Sequence, residues 1–335
     1  MKNLWFLIVF LFVFKVYPQQ SDFSHIDFSK ADRNVLACKN ENLNNLPQLV
    51  DKLTAGLPTD VERFKAIYLW VCTNISNDYN LFLRNERKRN KFQNDSLKLS
   101  NWNSQFNKTI FRELLKNKKT ICTGYAYLVK KMAGLANLNC EVVHGYGRTS
   151  TTNIDKLEAP NHSWNAIELN GKWYLCDPTW ASGLQNAETF EFNFQYNEGF
   201  FLSEPELFAI NHFPIEEKWF LENTTTFDAF LEAPVIYGKA YKNLLAHTTP
   251  KKMHQSITKH DKLTFEYVLL KPVTQKEIHL LIDNGHHSKK VKPTSYLLKG
   301  SSLTLEHQFN SKGFYDVHVY FGEDLISTYT VMVKS

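Results

Sequence analysis

The run Thr120-Ile121-Cys122-Thr123-Gly124-Tyr125-Ala126 decides how this chain is read, because it sets a cysteine at the start of a helix. From Cys122 to about Asn137 the apolar residues Ala126, Val129 and Ala133, beside Leu128 and Met132, form rows at helical spacing. The unpaired amides and dipole at a helix start favour a thiolate, which is the reactive form of the residue. Gly124 next to it allows close packing or close approach of a substrate, and the Cys122 N–H is a natural oxyanion donor.

Beyond this helix the period changes. Cys140 to Gly147, Ser163 to Leu169 and Lys172 to Cys176 read as strands, and Asn170-Gly171 is a strong hairpin signal between the last two. His162, in Asn161-His162-Ser163-Trp164-Asn165, opens one strand of that hairpin. Asp177, in Cys176-Asp177-Pro178-Thr179-Trp180, closes the other. In an antiparallel pair the start of one strand lies opposite the end of the next, so the two become neighbours. A thiol nucleophile needs a base, and the base needs a third group to orient its ring. Taken singly, each residue has an ordinary reading: a small buried hydrophobe, a core histidine, a turn before proline. Together they predict Cys122 as nucleophile, His162 as base and Asp177 as the orienting carboxylate. Trp164 and Trp180 are read as packing or cleft-wall residues, and with Gly124 they are the candidate substrate contacts.

The flanks suggest two domains over 335 residues. Residues 1–20 read as a signal peptide: Lys2, an uncharged run from Leu4 to Phe14, then Lys15. A retained anchor is the alternative, because no small-x-small pattern precedes Gln19-Gln20. That apolar run falls short of the roughly 20 residues a membrane-spanning helix needs. No cysteine closely follows it, which argues against a lipid anchor. Residues 21–56 read as a polar extension without a strong period. Residues 57–232 hold the catalytic core, opened by the capping box Thr59-x-x-Glu62 and an apolar face through Val61, Phe64, Ile67, Trp70 or Val71, and Ile75. Asn80 to Asn107 reads as an irregular surface insertion, with Arg84 to Lys91 a solvated basic stretch, and Thr109 to Leu115 as a short helix. Residues 233–335 carry short strand-like runs (Leu263–Leu270, Glu277–Asp283, Ser302–Phe309, Phe314–Phe321, Leu325–Val333) with turns at Asn284-Gly285, Lys299-Gly300 and Lys312-Gly313. This pattern predicts a β-sandwich.

A formal net charge of +5 is too mild to imply nucleic acid. The five cysteines all follow the apolar run. If Cys122 stays free, four remain (Cys38, Cys72, Cys140, Cys176), with three possible pairings. Cys140 and Cys176 can equally pair or serve as small buried hydrophobes. No closely spaced Cys/His set suggests zinc, His286-His287 reads as an exposed turn, and no cofactor is expected.

These segments resemble the transglutaminase-like superfamily of papain-fold cysteine enzymes, in the branch of kyphoscoliosis peptidase and the cytokinesis protein with a transglutaminase-like domain. The matching text is Lys65-Ala66-Ile67-Tyr68-Leu69-Trp70-Val71, Asn74 to Tyr79, Cys122 to Ala126, Gly145-Tyr146, His162 to Asn165 and Asp177 to Trp180. Phe200 to Pro205, His212-Phe213-Pro214 and Trp219 continue it. Thr120, Ile121 and Asn77 depart from the family's usual residues without touching the three candidates. The resemblance implies an α+β core with a helix packed on an antiparallel sheet, followed here by an immunoglobulin-like sandwich. It also implies the same roles for Cys122, His162 and Asp177. The expected protein is an exported acyl-transfer enzyme acting on peptide or carboxamide bonds of a protein or peptide substrate, with association with the cell envelope left open. Its only membrane contact would be an uncleaved signal. The alternative is a catalytically silent scaffold whose β-sandwich binds a protein or cell-surface partner.

Overall fold

The computed structural model describes residues 19–186, 189, 191–221 and 224–335. The signal-peptide reading of residues 1–20 falls almost wholly outside them.

The stretch expected to be an extension is helical and belongs to the core. Helices α1 (Ser29–Ala37) and α2 (Leu46–Thr54) pack on α3 (Asp60–Asn74). Asn45 caps α2 through the Gln48 amide, and the Trp70 indole donates to the Cys38 carbonyl at 2.8 Å. Helix α1 is mostly polar, but α2 carries a clear helical period in Leu46, Leu49, Val50 and Leu53 that the extension reading passed over; the shared core with α3 holds both. Helix α3 has the capping box expected of it: Glu62 N donates to Thr59 Oγ1 and Thr59 N to Glu62 Oε2. Phe64, Ile67, Trp70 and Val71 are fully buried along it, which makes it the central helix.

The second correction concerns residues 80–107. They form a helical hairpin: α4 (Tyr79–Phe92) and the long α5 (Ser96–Asn117), which absorbs the short helix expected at 109–115. Asp78 and Asp95 cap the two helices through the amides of Leu81 and Lys98. The hairpin has a small core of its own, Leu81, Phe106, Ile110 and Ile121, with Phe82 and Trp102 beside it. So few apolar residues, spread over so many polar ones, leave little helical signal to read. Two short parallel strands, β1 (Ser76–Asn77) and β2 (Lys119–Thr120), close its base.

Helix α6 (Cys122–Leu135) follows, then the sheet formed by β3 (Cys140–Gly147), β4 (His162–Leu169) and β5 (Lys172–Cys176). Asn170 and Gly171 both have positive φ, as the tight turn between β4 and β5 requires. Helix α7 (Pro178–Ser182), the small hairpin β6 (Gly183–Gln185) and β7 (Phe192–Phe194), and α8 (Pro205–Asn211) lead to β8 (His212–Pro214). Strand β8 pairs with β3, completing the order β5-β4-β3-β8. Helix α9 (Phe227–Glu232) ends the core.

The C-terminal part is a two-sheet sandwich. Its strands are β9 (Val235–Ile236), β10 (Leu244–Thr249), β11 (His254–Thr258), β12 (Lys262–Leu269), β13 (Ile278–Asp283), β14 (Ser288–Val291), β15 (Ser295–Lys299), β16 (Ser302–Gln308), β17 (Gly313–Phe321) and β18 (Asp324–Lys334). One sheet runs β10-β12-β16-β15. The other runs β11-β18-β17-β13-β14, with β9 also on β18. Phe265, Leu303 and Leu305 on the first sheet and Val317, Val319 and Val331 on the second are fully buried. The fold class is thus as expected, and the unforeseen strands β9, β10, β11, β14 and β15 are short, none longer than six residues.

Candidate functional site

Cys122 is the first residue of α6, behind the extended Ile121. Its N–H lies in the first turn, where no intrahelical acceptor exists, so it faces outward as a donor. Two ties hold the helix. The Tyr125 hydroxyl donates to the Ile75 carbonyl at 2.6 Å, and Asn165 Nδ2 on β4 donates to the Ala126 carbonyl at 2.9 Å. The second tie links the cysteine helix directly to the strand that His162 opens.

The structure brings Cys122, His162 and Asp177 together. His162 Nε2 lies 2.7 Å from Asp177 Oδ2, which leaves Nδ1 for the thiol. Burial pushes the Cys122 thiol up, but the hydrogen bond and charge of His162, helped by the Ser163 amide, hold it below its ordinary range. Burial likewise disfavours a charged His162, and the carboxylate and thiol overcome it and raise the imidazole. Asp177 is fully buried, yet the histidines hold it well below the usual carboxylate range. Cys122 and His162 are each 8 % exposed, so a thiolate–imidazolium pair would sit in a nearly closed site.

The backbone around Asp177 is equally determined. Pro178 starts α7, and Asp177 Oδ1 caps it by accepting from Thr179 N (2.8 Å) and Trp180 N (3.1 Å). Tyr68 on α3 shares its hydroxyl between the carbonyls of Asp177 and Phe200.

His212 was not among the sequence candidates. Its Nε2 lies 3.0 Å from Asp177 Oδ2, while Nδ1 faces the Phe208 carbonyl at 3.1 Å. Both neighbours are acceptors, and a neutral ring can serve only one. Burial pulls His212 down to about 4, so at neutral pH it keeps one proton, which belongs on Nε2 beside the charged acceptor. The sequence signal was weak, a histidine in a packing segment. Only the pairing of β8 with β3 brings it to the site.

Trp180 stacks on His162, with ring centroids 4.7 Å apart, and remains half-buried at the edge of the site. The other two expected substrate contacts are corrected. Trp164 is 1 % exposed and wedged against Phe208 and His212, so it presents no face to a ligand. Gly124 is buried: a Cβ there would lie 1.8 Å from Thr120 Oγ1, so its role is packing.

Among the described residues, His162, Asp177 and His212 are the cluster whose donor atoms could hold a metal. Their spacing is that of hydrogen bonds converging on one oxygen. All five cysteines are free thiols, including Cys140 and Cys176. Burial pushes Cys140 up to about 12 and raises Cys72 and Cys176 as well, which leaves Cys122 as the one thiol held low.

Residues 47–178 match the family described as the transglutaminase-like superfamily. The chain is 35% identical over 178 residues to kyphoscoliosis peptidase of Homo sapiens, covering 52% of this chain and 24% of that protein. It is 22% identical over 225 residues to Hillarin of Drosophila melanogaster, covering 63% of this chain and 25% of that one. It therefore spans about a quarter of the length of these relatives. A crystal structure of a putative protease from Parabacteroides distasonis aligns over 90% of this chain and 52% of that one at 11% identity, with a TM-score of 0.27, too low to argue from. Residues 47–178 thus carry a transglutaminase-like domain, a cysteine-triad type of enzyme fold, in a chain similar to kyphoscoliosis peptidase.

Proposed function

We propose that this protein is an exported cysteine-dependent acyl-transfer enzyme that cleaves peptide or carboxamide bonds. The observation that carries the reading is a thiol held low at a helix start, beside an imidazole that a buried carboxylate raises. The Cys122 thiolate attacks the carbonyl carbon, and the resulting oxyanion faces the Cys122 N–H. The His162 imidazolium protonates the leaving amine, and a thioester remains. His162, now neutral, takes a proton from water, which attacks the thioester and releases the acid. Asp177 fixes the ring and stabilises its charge in both steps. Hydrolysis is slightly favoured over transfer to an amine, because nothing in the sequence specifies an amine site. A relative named as a peptidase supports the same choice. Export rests on the apolar run Leu4 to Phe14.

The nearly closed thiol favours a second reading, a silent scaffold that binds partners through the sandwich. Iodoacetamide labelling of Cys122 against pH, in wild type and His162→Ala, separates the two. Rapid labelling at mildly acidic pH that the substitution slows supports the enzyme. Slow labelling with an ordinary thiol midpoint, unchanged by the substitution, supports the scaffold.

A further inference from the structure

The hairpin α4–α5 carries nine Lys and Arg against three Asp and Glu, a net +6, while the whole chain carries +5. All of the protein's net positive charge therefore lies in this one element, and the remainder sums to −1. Five of the cations, Arg84, Arg87, Lys88, Arg89 and Lys91, lie on α4. The ion pairs of the hairpin among the described residues are Lys98–Asp95 and Arg112–Glu113, so none of those five has an acidic partner there. Arg84 and Lys88 lie over the Trp102 ring and cover it. Arg89 is half-buried and turns towards the site. It donates to the Pro160 carbonyl at 2.8 Å, two residues before His162. One carbonyl occupies little of a guanidinium's five-donor fork, whose shape matches a carboxylate. Burial lowers Arg89, and the charge of a Cys122 thiolate acts on it in the opposite sense, so the two groups lie within electrostatic reach.

We propose that this hairpin is a recognition arm for an acidic polypeptide substrate, with Arg89 holding a carboxylate beside the carbonyl that Cys122 attacks. This rests on Cys122 being the nucleophile. The unpaired cations of α4 steer the acidic chain, and Arg89 sets its register at the thiol. A polypeptide fits better than a nucleic acid because the hairpin leads to a site built for amide carbonyls, and its tryptophan is covered rather than offered for base stacking.

Two measurements on the full chain test this. The first compares alkylation of Cys122 by anionic iodoacetate and neutral iodoacetamide. The iodoacetate-to-iodoacetamide rate ratio should fall about fivefold in Arg89→Gln, recover in Arg89→Lys, and shrink with added salt. The second follows anisotropy of a fluorescein-labelled Glu-rich dodecapeptide on Cys122→Ala, beside its Gln-rich counterpart and a dT12 oligonucleotide. The acidic peptide should bind best, and Arg87→Glu with Lys91→Glu should weaken it about tenfold or more. A fast thiol whose ratio ignores Arg89, or dT12 binding as tightly as the peptide, overturns the proposal alone. Slow labelling by both reagents overturns the nucleophile, and the substrate role of the arm with it.

Discussion

His212 Nε2 sits 3.0 Å from Asp177 Oδ2, the same oxygen that lies 2.7 Å from His162. With Oδ1 held by two amides of α7, the carboxylate has all of its acceptor capacity engaged in the protein interior. His212 is thus a positioning residue for Asp177 and touches neither the thiol nor a substrate. Replacing it with Phe keeps the ring that stacks on Phe208 and removes the N–H. The lost bond to a charged group should lower kcat about tenfold or more. It should also move the upper limb of the pH profile upward, because Asp177 then gives its undivided charge to His162. A rate loss without that shift would mean a packing role only.

Asp177→Asn should retain the fold, since an amide oxygen can still cap α7. The loss of charge removes the main influence that raises His162 and leaves only the thiol, and activity should fall about a thousandfold or more. Circular dichroism against kinetics of the same sample checks both halves.

The pH dependence follows from opposite shifts. Cys122 is held low and His162 is raised to about 10, so the charged pair spans the interval between them. Activity should rise with pH through the lowered thiol value and fall again only as His162 loses its proton. The linked stability has the same sign. A raised histidine contributes fully below the ordinary histidine range and loses its contribution as pH climbs towards 10. Urea denaturation of wild type and His162→Gln should therefore converge at high pH, and a constant difference across the range would contradict this.

Of the five thiols, one should react. Cys72, Cys140 and Cys176 are buried with raised values, and Cys38 is also raised. Alkylating the folded protein at neutral pH and digesting it should locate a single fast adduct on Cys122. Comparable labelling of a second cysteine would show that burial does not protect it.

Two glycines of α6 should respond in opposite directions. At Gly124 a methyl group would meet Thr120 Oγ1 at 1.8 Å, and Gly124→Ala should destabilise by about 1–3 kcal/mol. At Gly134 nothing lies within 4 Å, so Gly134→Ala should stabilise by about 0.5–1 kcal/mol. Thermal melts of the pair show whether Gly124 is there for space or for flexibility.

The legible parts of this protein were those with strong local signals. The capping box at Thr59, the Asn170-Gly171 turn and the alternating strands of the sandwich reflect backbone preferences that need no distant partner. The same hairpin logic brought His162 to Asp177. What stayed hidden depends on long-range pairing. His212 reaches the site through β8, only three residues long, and nothing near it in sequence points to Asp177. Trp164 reads as a cleft residue until Phe208 and His212 are seen to enclose it. The α4–α5 hairpin escaped notice because its apolar residues serve a core small enough to be lost among asparagines and lysines.

Strand β18 lies between β11 and β17 in its sheet and also holds β9, the first strand after the catalytic core in sequence. The sandwich therefore has its keystone late in the sequence, in residues 324–334. Strands β9 and β11 must wait for a partner made some seventy to ninety residues later, whereas the α6–β5 core can close on contacts already synthesised. A chain made as far as β8 already holds every residue of the thiol site before any strand of the sandwich has been made. Premature termination before residue 324 would leave β9 and β11 as uncovered edges, a route to aggregation rather than to a shortened enzyme.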